Sequence, residues 1–403
     1  MDTLVAGRSE AVRRRRFALF EYGFRPFFLL CGLYALVSVP LWLWIYTHGG
    51  SPLATLPPQF WHAHEMLYGF VAAAIAGFLL TAVPSWTGSR GFAGAPLIGL
   101  TLLWIAGRVV FAAGDRLPFW LFAVVELSFL PALAALLAPP LLRAQNRNTP
   151  MLIVLGVLWL GDGAFVAAAS FGDALLSQRA LHLAINLVLL LVTIIGGRIV
   201  PAFTANALRR RGETADIVVR PRLERIVIAL MVAVVLADLF GAGATVAGGL
   251  AALAAVAHAW RLSGWRGPKT LSEPIVWSLH IGYAWLPIGF ALKALWLLGG
   301  VSWSMYWLHA FTMGVFGTMI LAVTTRASLG HTGRPLVVSK TIAVAYLVLT
   351  AAVMLRVWGP ALDVLGYTNM VTLSGALWTV AFALYLFVYT PILIRPRADG
   401  KPG

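Results

Sequence analysis

The chain has 403 residues, of which 60% are apolar and only 11% are charged, with a net charge of +15. A soluble domain carries about 25% charged residues, so this composition excludes a soluble protein and indicates a polytopic helical membrane protein. The basic residues lie in short loops between apolar runs, which argues against nucleic acid as their partner. Cys31 is the one cysteine, which excludes an intrachain disulfide.

A membrane-spanning helix needs about 20 mostly apolar residues. On that criterion the sequence predicts twelve spans, at 25–46, 61–84, 95–113, 118–138, 151–171, 178–198, 224–240, 243–261, 274–298, 304–326, 339–358 and 369–394. The predicted fold class is therefore all-α, a polytopic helical membrane protein with about twelve transmembrane helices. Its predicted parts are a basic segment 1–19, one transmembrane domain 20–395 and a tail 396–403.

Lysine and arginine are concentrated in alternate loops. The N-terminal segment contains five arginines, basic residues recur in every second loop, and the intervening loops hold almost none. The positive-inside rule then predicts that both termini are cytoplasmic and that the protein is multi-pass in the inner (cytoplasmic) membrane. In this orientation His62, His64 and Glu65 lie near the outer leaflet, as do His182 and His309.

The second span begins with two histidines, a glutamate and a methionine, in the order His62, His64, Glu65 and Met66. Ionisable groups are costly inside a bilayer, so their presence here predicts a functional site. Side chains two residues apart do not share a helix face, so His62 and His64 are expected to point to different sides.

The two sides of this helix differ in character. The side of His62 is predicted to include Glu65, Met66, Gly69 and Gly77. Small residues there allow close approach of either a neighbouring helix or a flat macrocycle. Tyr68 shares the side of His64, and Tyr68 and Glu65 are candidates for proton transfer.

The tenth span repeats the combination, because Met305, His309 and Met313 fall on one helix face. Imidazole and thioether together suit copper, and imidazole alone or with thioether suits haem iron. The alternative is a buried, hydrogen-bonded histidine among core methionines. His280 and His182 are further candidate ligands, and for His280 a structural role is an equal alternative.

Charged residues inside other spans are candidates as well. Arg108, Lys293 and Arg356 lie toward the predicted outer face, where they would pair with haem propionates or snorkel to the interface. Glu126 and Asp162 lie deeper, where a carboxylate serves either proton transfer or polar contacts between helices.

A constant offset along the chain suggests an internal repeat. It matches His64 to His309 and Gly69 to Gly314, and three four-helix units would follow. Repeats of this kind often build transporter folds around a site within the membrane. Chance matching is the alternative, since the identities are few.

Five motifs in this order resemble the NnrS family. They are Gly23-Phe24-Arg25-Pro26-Phe27-Phe28, Trp61-His62-Ala63-His64-Glu65-Met66, Gly77-Phe78-Leu79-Leu80-Thr81-Ala82, His309-Ala310-Phe311-Thr312-Met313-Gly314 and Gly330-His331-Thr332-Gly333-Arg334-Pro335. The resemblance extends from Phe20 to about Pro391, and Phe311 stands where leucine is expected. It implies about twelve spans, haem and copper, and a part in the response to nitric oxide and nitrosative stress in denitrifying and related bacteria.

The sequence therefore predicts a haem- and copper-binding inner-membrane protein of the nitrosative-stress response, with His62, His64 and His309 as preferred ligands. Its expected partners are the lipid bilayer, nitric oxide or nitrosylated metal species and an electron donor, with no nucleic acid. The alternative is a proton-coupled transporter of a small solute or metal that uses a histidine and carboxylate relay. Whether the protein is an enzyme is left open.

Overall fold

The computed structural model of the protein describes residues 17–51, 53, 55–362 and 365–401, so most of the predicted basic segment lies outside the described residues. Within them the chain is helical and contains no strand, which confirms the all-α membrane fold. Eleven of the described helices are long and apolar enough to cross a bilayer. A further helix, Pro221–Leu239, occupies the position of the predicted seventh span and has charged residues in its first turns.

These helices are numbered α1 to α12 in chain order. Their bounds are Phe24–His48, Pro58–Thr87, Ala95–Ala113, Phe119–Arg143, Met151–Ser170, Ala174–Arg210, Pro221–Leu239, Ala244–Ser263, Pro274–Gly299, Ser302–His331, Lys340–Leu362 and Tyr367–Ile394. The largest departure from the predicted spans is α6, which has 37 residues. At 1.5 Å per residue it is roughly 55 Å long, whereas the hydrocarbon core of a bilayer is about 30 Å thick.

Proline and glycine mark several helix ends. Pro58, Pro221 and Pro274 are the first residues of α2, α7 and α9, where the missing N–H has no helical partner to lose. Gly88 and Gly300 end α2 and α9 in the left-handed conformation, which glycine adopts without a steric penalty.

Helix α4 is interrupted at Leu127 and Ser128, directly after Glu126. The cause is Pro131, because a proline cannot donate the helical hydrogen bond to the carbonyl four residues earlier, which is that of Leu127. The indole N–H of Trp159 in α5 donates to this carbonyl instead, at 2.9 Å. The interruption leaves Glu126 at the end of a short helical piece.

Two helices contain π-helical turns, in which hydrogen bonds span five residues instead of four. They are Glu65–Val71 in α2 and Ala310–Gly317 in α10, and each follows a histidine motif. Each contains a glycine against an aromatic ring of the preceding helix, and a Cβ on that glycine would overlap the ring. The pairs are Gly69 with Tyr34 and Gly314 with Trp285.

Where the predicted repeat implied three four-helix units, the contacts divide the chain into two compact units. The first comprises Met1–Asp173, Thr324–Leu336 and Phe382–Gly403, and the second comprises Ala174–Val323 and Val337–Ala381. In the first unit α1 packs on α2, α3 on α4, and α4 on α5. In the second, α6 packs on α7, α7 on α8, and α8 on α9.

The motifs near residues 25 and 331 tie together the ends of the first unit. Arg25 donates to the carbonyl of Leu393 at 2.8 Å, and Arg397 donates to the carbonyl of His331 at 2.8 Å. These contacts join the beginning of α1, the end of α10 and the segment after α12. The loop after α10 therefore has an architectural role.

Candidate functional site

His64 is fully buried in the first unit among charged side chains from four helices. Those side chains are Glu65 of α2, Arg108 of α3, Glu126 of α4 and Asp162 of α5. The Nδ1 atom of His64 lies 3.1 Å from Oε1 of Glu65. The Nε2 atom lies 2.9 Å from Oδ1 of Asp162 and 3.8 Å from Oε1 of Glu126.

Arg108 connects two of these carboxylates. Its guanidinium donates to Glu65 from one terminal nitrogen and to Glu126 from the other. The hydroxyl of Tyr34 in α1 also donates to Glu65. Three buried carboxylates, one guanidinium and one imidazole thus form a continuous network, and buried charges persist only when they are paired in this way or bind a metal.

Aromatic rings enclose the imidazole of His64. The ring of Phe111 stacks on it with centroids 3.8 Å apart and planes 1° apart, and Phe165 lies at 4.8 Å. Tyr68 lies beside the same imidazole at 4.8 Å, on the predicted side. Its hydroxyl donates to the carbonyl of Leu158 rather than to an ionisable group, so Tyr68 forms part of the wall.

His64, Glu126 and Asp162 together form a group capable of holding a metal ion. Each offers one ligand atom, and these atoms all lie within 4.8 Å of one another. The Oε2 atom of Glu126 is buried and has no hydrogen-bond partner in the described part of the chain. The sequence identified each of these three residues but did not bring them together, because they come from different helices.

Glu65, predicted to lie on the side of His62, also reaches His64. Its carboxylate contacts His64, Arg108 and Tyr34. The contact with Tyr34, whose ring also lies against Gly69, fits the predicted side. The contact with His64 joins two adjacent residues through the long glutamate side chain.

The other side of α2 carries His62 and Met66. His62 is partly exposed, and its ring stacks on Trp42 of α1 with centroids 4.7 Å apart. The sulfur of Met66 accepts a hydrogen bond from the hydroxyl of Ser38 in α1, at 3.5 Å. An imidazole and a thioether one turn apart are therefore held beside α1, on the face that also carries Tyr34.

The glycine groove of α2 is filled by α1. A Cβ on Gly69 would overlap the ring of Tyr34, and a Cβ on Gly77 would overlap the ring of Phe28. These contacts are those expected for close helix packing, which was one of the two predicted uses of the groove.

In the second unit, His309 immediately precedes the π-helical segment of α10. His309 and Met313 are both partly exposed, whereas Met305 is 46% exposed. His309 and Met313 thus repeat the spacing of His62 and Met66, with an imidazole four residues before a thioether. Met305 is the more exposed of the two predicted methionines.

Aromatic rings lie beside Arg356 and His182, two of the predicted cofactor- or metal-binding residues, near the ends of α6, α10 and α11. The guanidinium of Arg356 lies over the rings of Tyr306 and Tyr367, at 5.0 and 5.9 Å. His182 meets the edge of the Trp307 ring with centroids 6.1 Å apart. This part of the second unit is rich in π faces, which attract cations and pack against flat ligands.

Lys293 is engaged in an ion pair. Its Nζ atom donates to Oδ1 of Asp238 in α7 at 2.7 Å and lies 5.0 Å from the centre of the Trp307 ring. The amide of Asn186 in α6 donates to the same carboxylate at 2.8 Å. Lys293 is buried, so this pair is a contact between helices rather than a side chain that snorkels.

Two buried histidines contact hydroxyl groups in the second unit. The Nε2 atom of His280 lies 2.8 Å from the hydroxyl of Thr204, which fits the structural alternative stated for it. The Nδ1 atom of His258, which the sequence analysis did not select, lies 2.9 Å from the hydroxyl of Tyr283.

The sequence analysis also did not select Arg261, a buried charged residue of α8. It donates to both carboxylate oxygens of Glu224 and to the hydroxyl of Tyr283. The signal was present in α6, because a Cβ on Gly197 would overlap the Arg261 guanidinium. The consecutive glycines of α6 therefore mark the place where an arginine crosses the helix.

The family model described as NnrS protein matches residues 18–397, a range that contains the charged network and both histidine–methionine pairs. The chain belongs to the NnrS family. This confirms the resemblance seen in the five motifs and relates this multi-pass membrane protein to the nitric-oxide response. No curated protein sequence matches the chain.

Proposed function

We propose that this NnrS-family protein binds haem and copper and acts in the response to nitric oxide and nitrosative stress. The observation that carries the proposal is that each π-helical segment begins within a histidine–methionine pair: Glu65 comes three residues after His62 and directly after His64, and Ala310 comes directly after His309. π-Helical turns are rare and occur frequently at functional sites. Both pairs, His62 with Met66 and His309 with Met313, are therefore assigned as metal-ligand pairs.

The donor chemistry of these pairs fits the two cofactors. Neutral imidazole and thioether are ligands for copper, and histidine alone or with methionine holds haem iron. His62 and His309 are partly exposed, so part of each side chain is open to an approaching ligand. When bound, these metals would supply nitric-oxide binding and one-electron transfer.

His64 takes a different part in this proposal. Its Nε2 faces carboxylates, and its ring lies between Phe111 and Phe165, so the surroundings fit a small ion or a proton and not a macrocycle. For a haem held by His309, Arg356 is the proposed partner of a propionate, because it lies in the same unit with its guanidinium over the ring of Tyr306, three residues before His309.

The test compares optical and paramagnetic-resonance spectra and metal content of the purified wild type with those of His62→Ala and His309→Ala. We expect a Soret band and copper in the wild type and the loss of at least one of them in each variant. His48→Ala, at an exposed histidine at the end of α1, is the matched control and should keep both. Folded wild-type protein with neither haem nor copper would refute the proposal.

A second function, proton-coupled transport of a small solute or metal, is favoured by one specific observation. His64, Glu65, Glu126 and Asp162 lie buried and in contact within one unit, as a proton relay requires. Proton-coupled uptake into vesicles by metal-free protein, abolished by Glu126→Gln, would support this function over the first. Failure of such vesicles to take up any solute or metal in response to a proton gradient would refute the transport function.

A further inference from the structure

The charged network around His64 contains an arrangement of nitrogen and oxygen atoms typical of metal centres. We propose that Nε2 of His64 and the carboxylates of Glu126 and Asp162 bind one divalent first-row transition-metal ion. This site is separate from the haem and copper ligands proposed above, and it does not depend on them. Its three donors come from α2, α4 and α5 of one unit.

Both ring nitrogens of His64 face carboxylate oxygens, at 3.1 Å for Nδ1 and 2.9 Å for Nε2. A neutral imidazole has only one N–H, so it can satisfy only one of these contacts as a donor. With a metal on Nε2, the proton resides on Nδ1 and is donated to Glu65. A carboxylate that receives the second N–H of a ligating histidine is the usual arrangement around metals in proteins.

The charges of the network also favour a divalent cation. Glu65, Glu126 and Asp162 contribute three carboxylates, whereas Arg108 contributes one guanidinium. Two negative charges are left over when all the carboxylates are ionised, and uncompensated charge is costly inside a protein. One divalent cation beside Glu126 and Asp162 neutralises the network completely.

A further indication is the unused oxygen of Glu126. Its Oε2 atom is buried and receives no hydrogen bond from the described residues, while Oε1 accepts one from Arg108. Buried polar atoms nearly always have a partner, so an exception requires an explanation, and an ion is one. Arg108 also holds Glu65, so the same guanidinium orients both a ligand and the residue that supports His64.

The ligand set decides the class of metal. One imidazole nitrogen and two carboxylates contain no sulfur, which suits Mn²⁺, Fe²⁺ or Zn²⁺ and not Cu⁺. Phe111 lies 3.8 Å from the His64 ring and Phe165 at 4.8 Å, so haem has no space beside this imidazole. The site therefore differs in chemistry from the two histidine–methionine pairs.

The experiment is a titration of purified full-length protein with Co²⁺ after chelation, followed by the visible d–d absorption of bound cobalt. We expect one tight equivalent per chain that Zn²⁺ displaces. Asp162→Asn and Glu126→Gln should weaken cobalt binding at least about tenfold, since each removes one of the few ligands. Glu65→Gln should weaken it by about 10- to 100-fold through the orientation of His64.

Asp238→Asn is the matched control, because Asp238 is likewise a membrane-embedded carboxylate in an ion pair, and this variant should bind cobalt as the wild type does. Haem and copper are measured in the same samples, and thermal unfolding shows that each variant is folded. Cobalt binding without haem or copper would refute the proposed function and leave this site standing. Absence of stoichiometric cobalt binding by folded wild type, or binding by Asp162→Asn and Glu126→Gln equal to that of the wild type, would overturn the site.

Discussion

Helices α2 and α10 share one backbone feature in two different surroundings. Each changes from α-helix to π-helix near a histidine, and in each a glycine of the π turn packs against an aromatic ring of the preceding helix. Around α2 the neighbouring helices supply carboxylates and an arginine. Around α10 the described contacts include several aromatic rings, and the cations Lys293 and Arg356 lie over the rings of Trp307 and Tyr306.

This difference shows that the same backbone feature occurs in two chemical surroundings and that the neighbouring helices determine which charges lie beside it. In the first unit, Arg108 pairs with Glu65 and Glu126. In the second, Arg356 lies over the rings of Tyr306 and Tyr367. The matching π turns add a structural similarity to the sequence offset between α2 and α10.

The largest expected effect on stability is the difference between substitutions of these two arginines. Arg108→Leu leaves buried carboxylates without their counter-ion and should lower the free energy of unfolding by about 3–5 kcal/mol. Arg356→Leu removes contacts with ring faces and should cost about 1 kcal/mol. Denaturant unfolding of both variants in the same detergent measures the difference, and equal losses would contradict the contrast between the two surroundings.

The buried ion pair of Lys293 and Asp238 in the second unit tests whether an isolated pair recovers stability after double substitution more fully than the network around His64. Lys293→Met leaves Asp238 uncompensated and should also cost about 3–5 kcal/mol. The double variant Lys293→Met/Asp238→Asn removes both charges and keeps an acceptor for Asn186, so it should recover most of the loss. The corresponding Arg108→Leu/Glu126→Gln double variant should recover much less, because Glu65 stays charged. Thermal unfolding of the four variants tests this, and similar recovery in both units would contradict it.

The two π turns should respond alike to an added methyl group. Gly69→Ala and Gly314→Ala place a Cβ against Tyr34 and Trp285 and should each lower stability by about 1–3 kcal/mol. Gly99→Ala in α3 is the control, because no atom lies within 4 Å of the added Cβ. That variant should be neutral or stabilising by up to about 1 kcal/mol. A loss of stability in only one of these two variants would contradict the expectation that the two π turns are alike.

The smallest expected effect lies outside both regions, in the exposed segment after α12. Hydrogen bonds from Arg397 lower the pKa of Asp399 from 3.8 to about 2. A lowered acid pKa in the folded state stabilises the fold above pH 3.8 and loses this effect as the pH falls toward 2. The difference in melting temperature between wild type and Asp399→Asn should be small and constant from pH 5 to 7. It should shrink between about pH 4 and 2, and a constant difference down to pH 2 would contradict the assignment.

Much of the fold could be predicted from the sequence, because a membrane span is recognised by its own run of apolar residues, whatever helices surround it. The predicted spans correspond to the observed helices, with α6 the clearest error in length. Position within the membrane also identified Glu126 and Asp162 as residues that need a partner. Pro131 is a further sequence signal, because a proline at this position predicts the interruption of α4 after Glu126.

The sequence by itself therefore determined the class of protein, the order of its helices, its family and the residue types available for chemistry. Only the tertiary structure decided which of those residues meet. His64, Glu126 and Asp162 come from three helices whose rotation about their axes depends on packing, and Glu65 joins them through its contacts with His64 and Arg108. Hydrophobicity is a property of each segment alone, whereas a ligand set depends on the relative rotation of several helices.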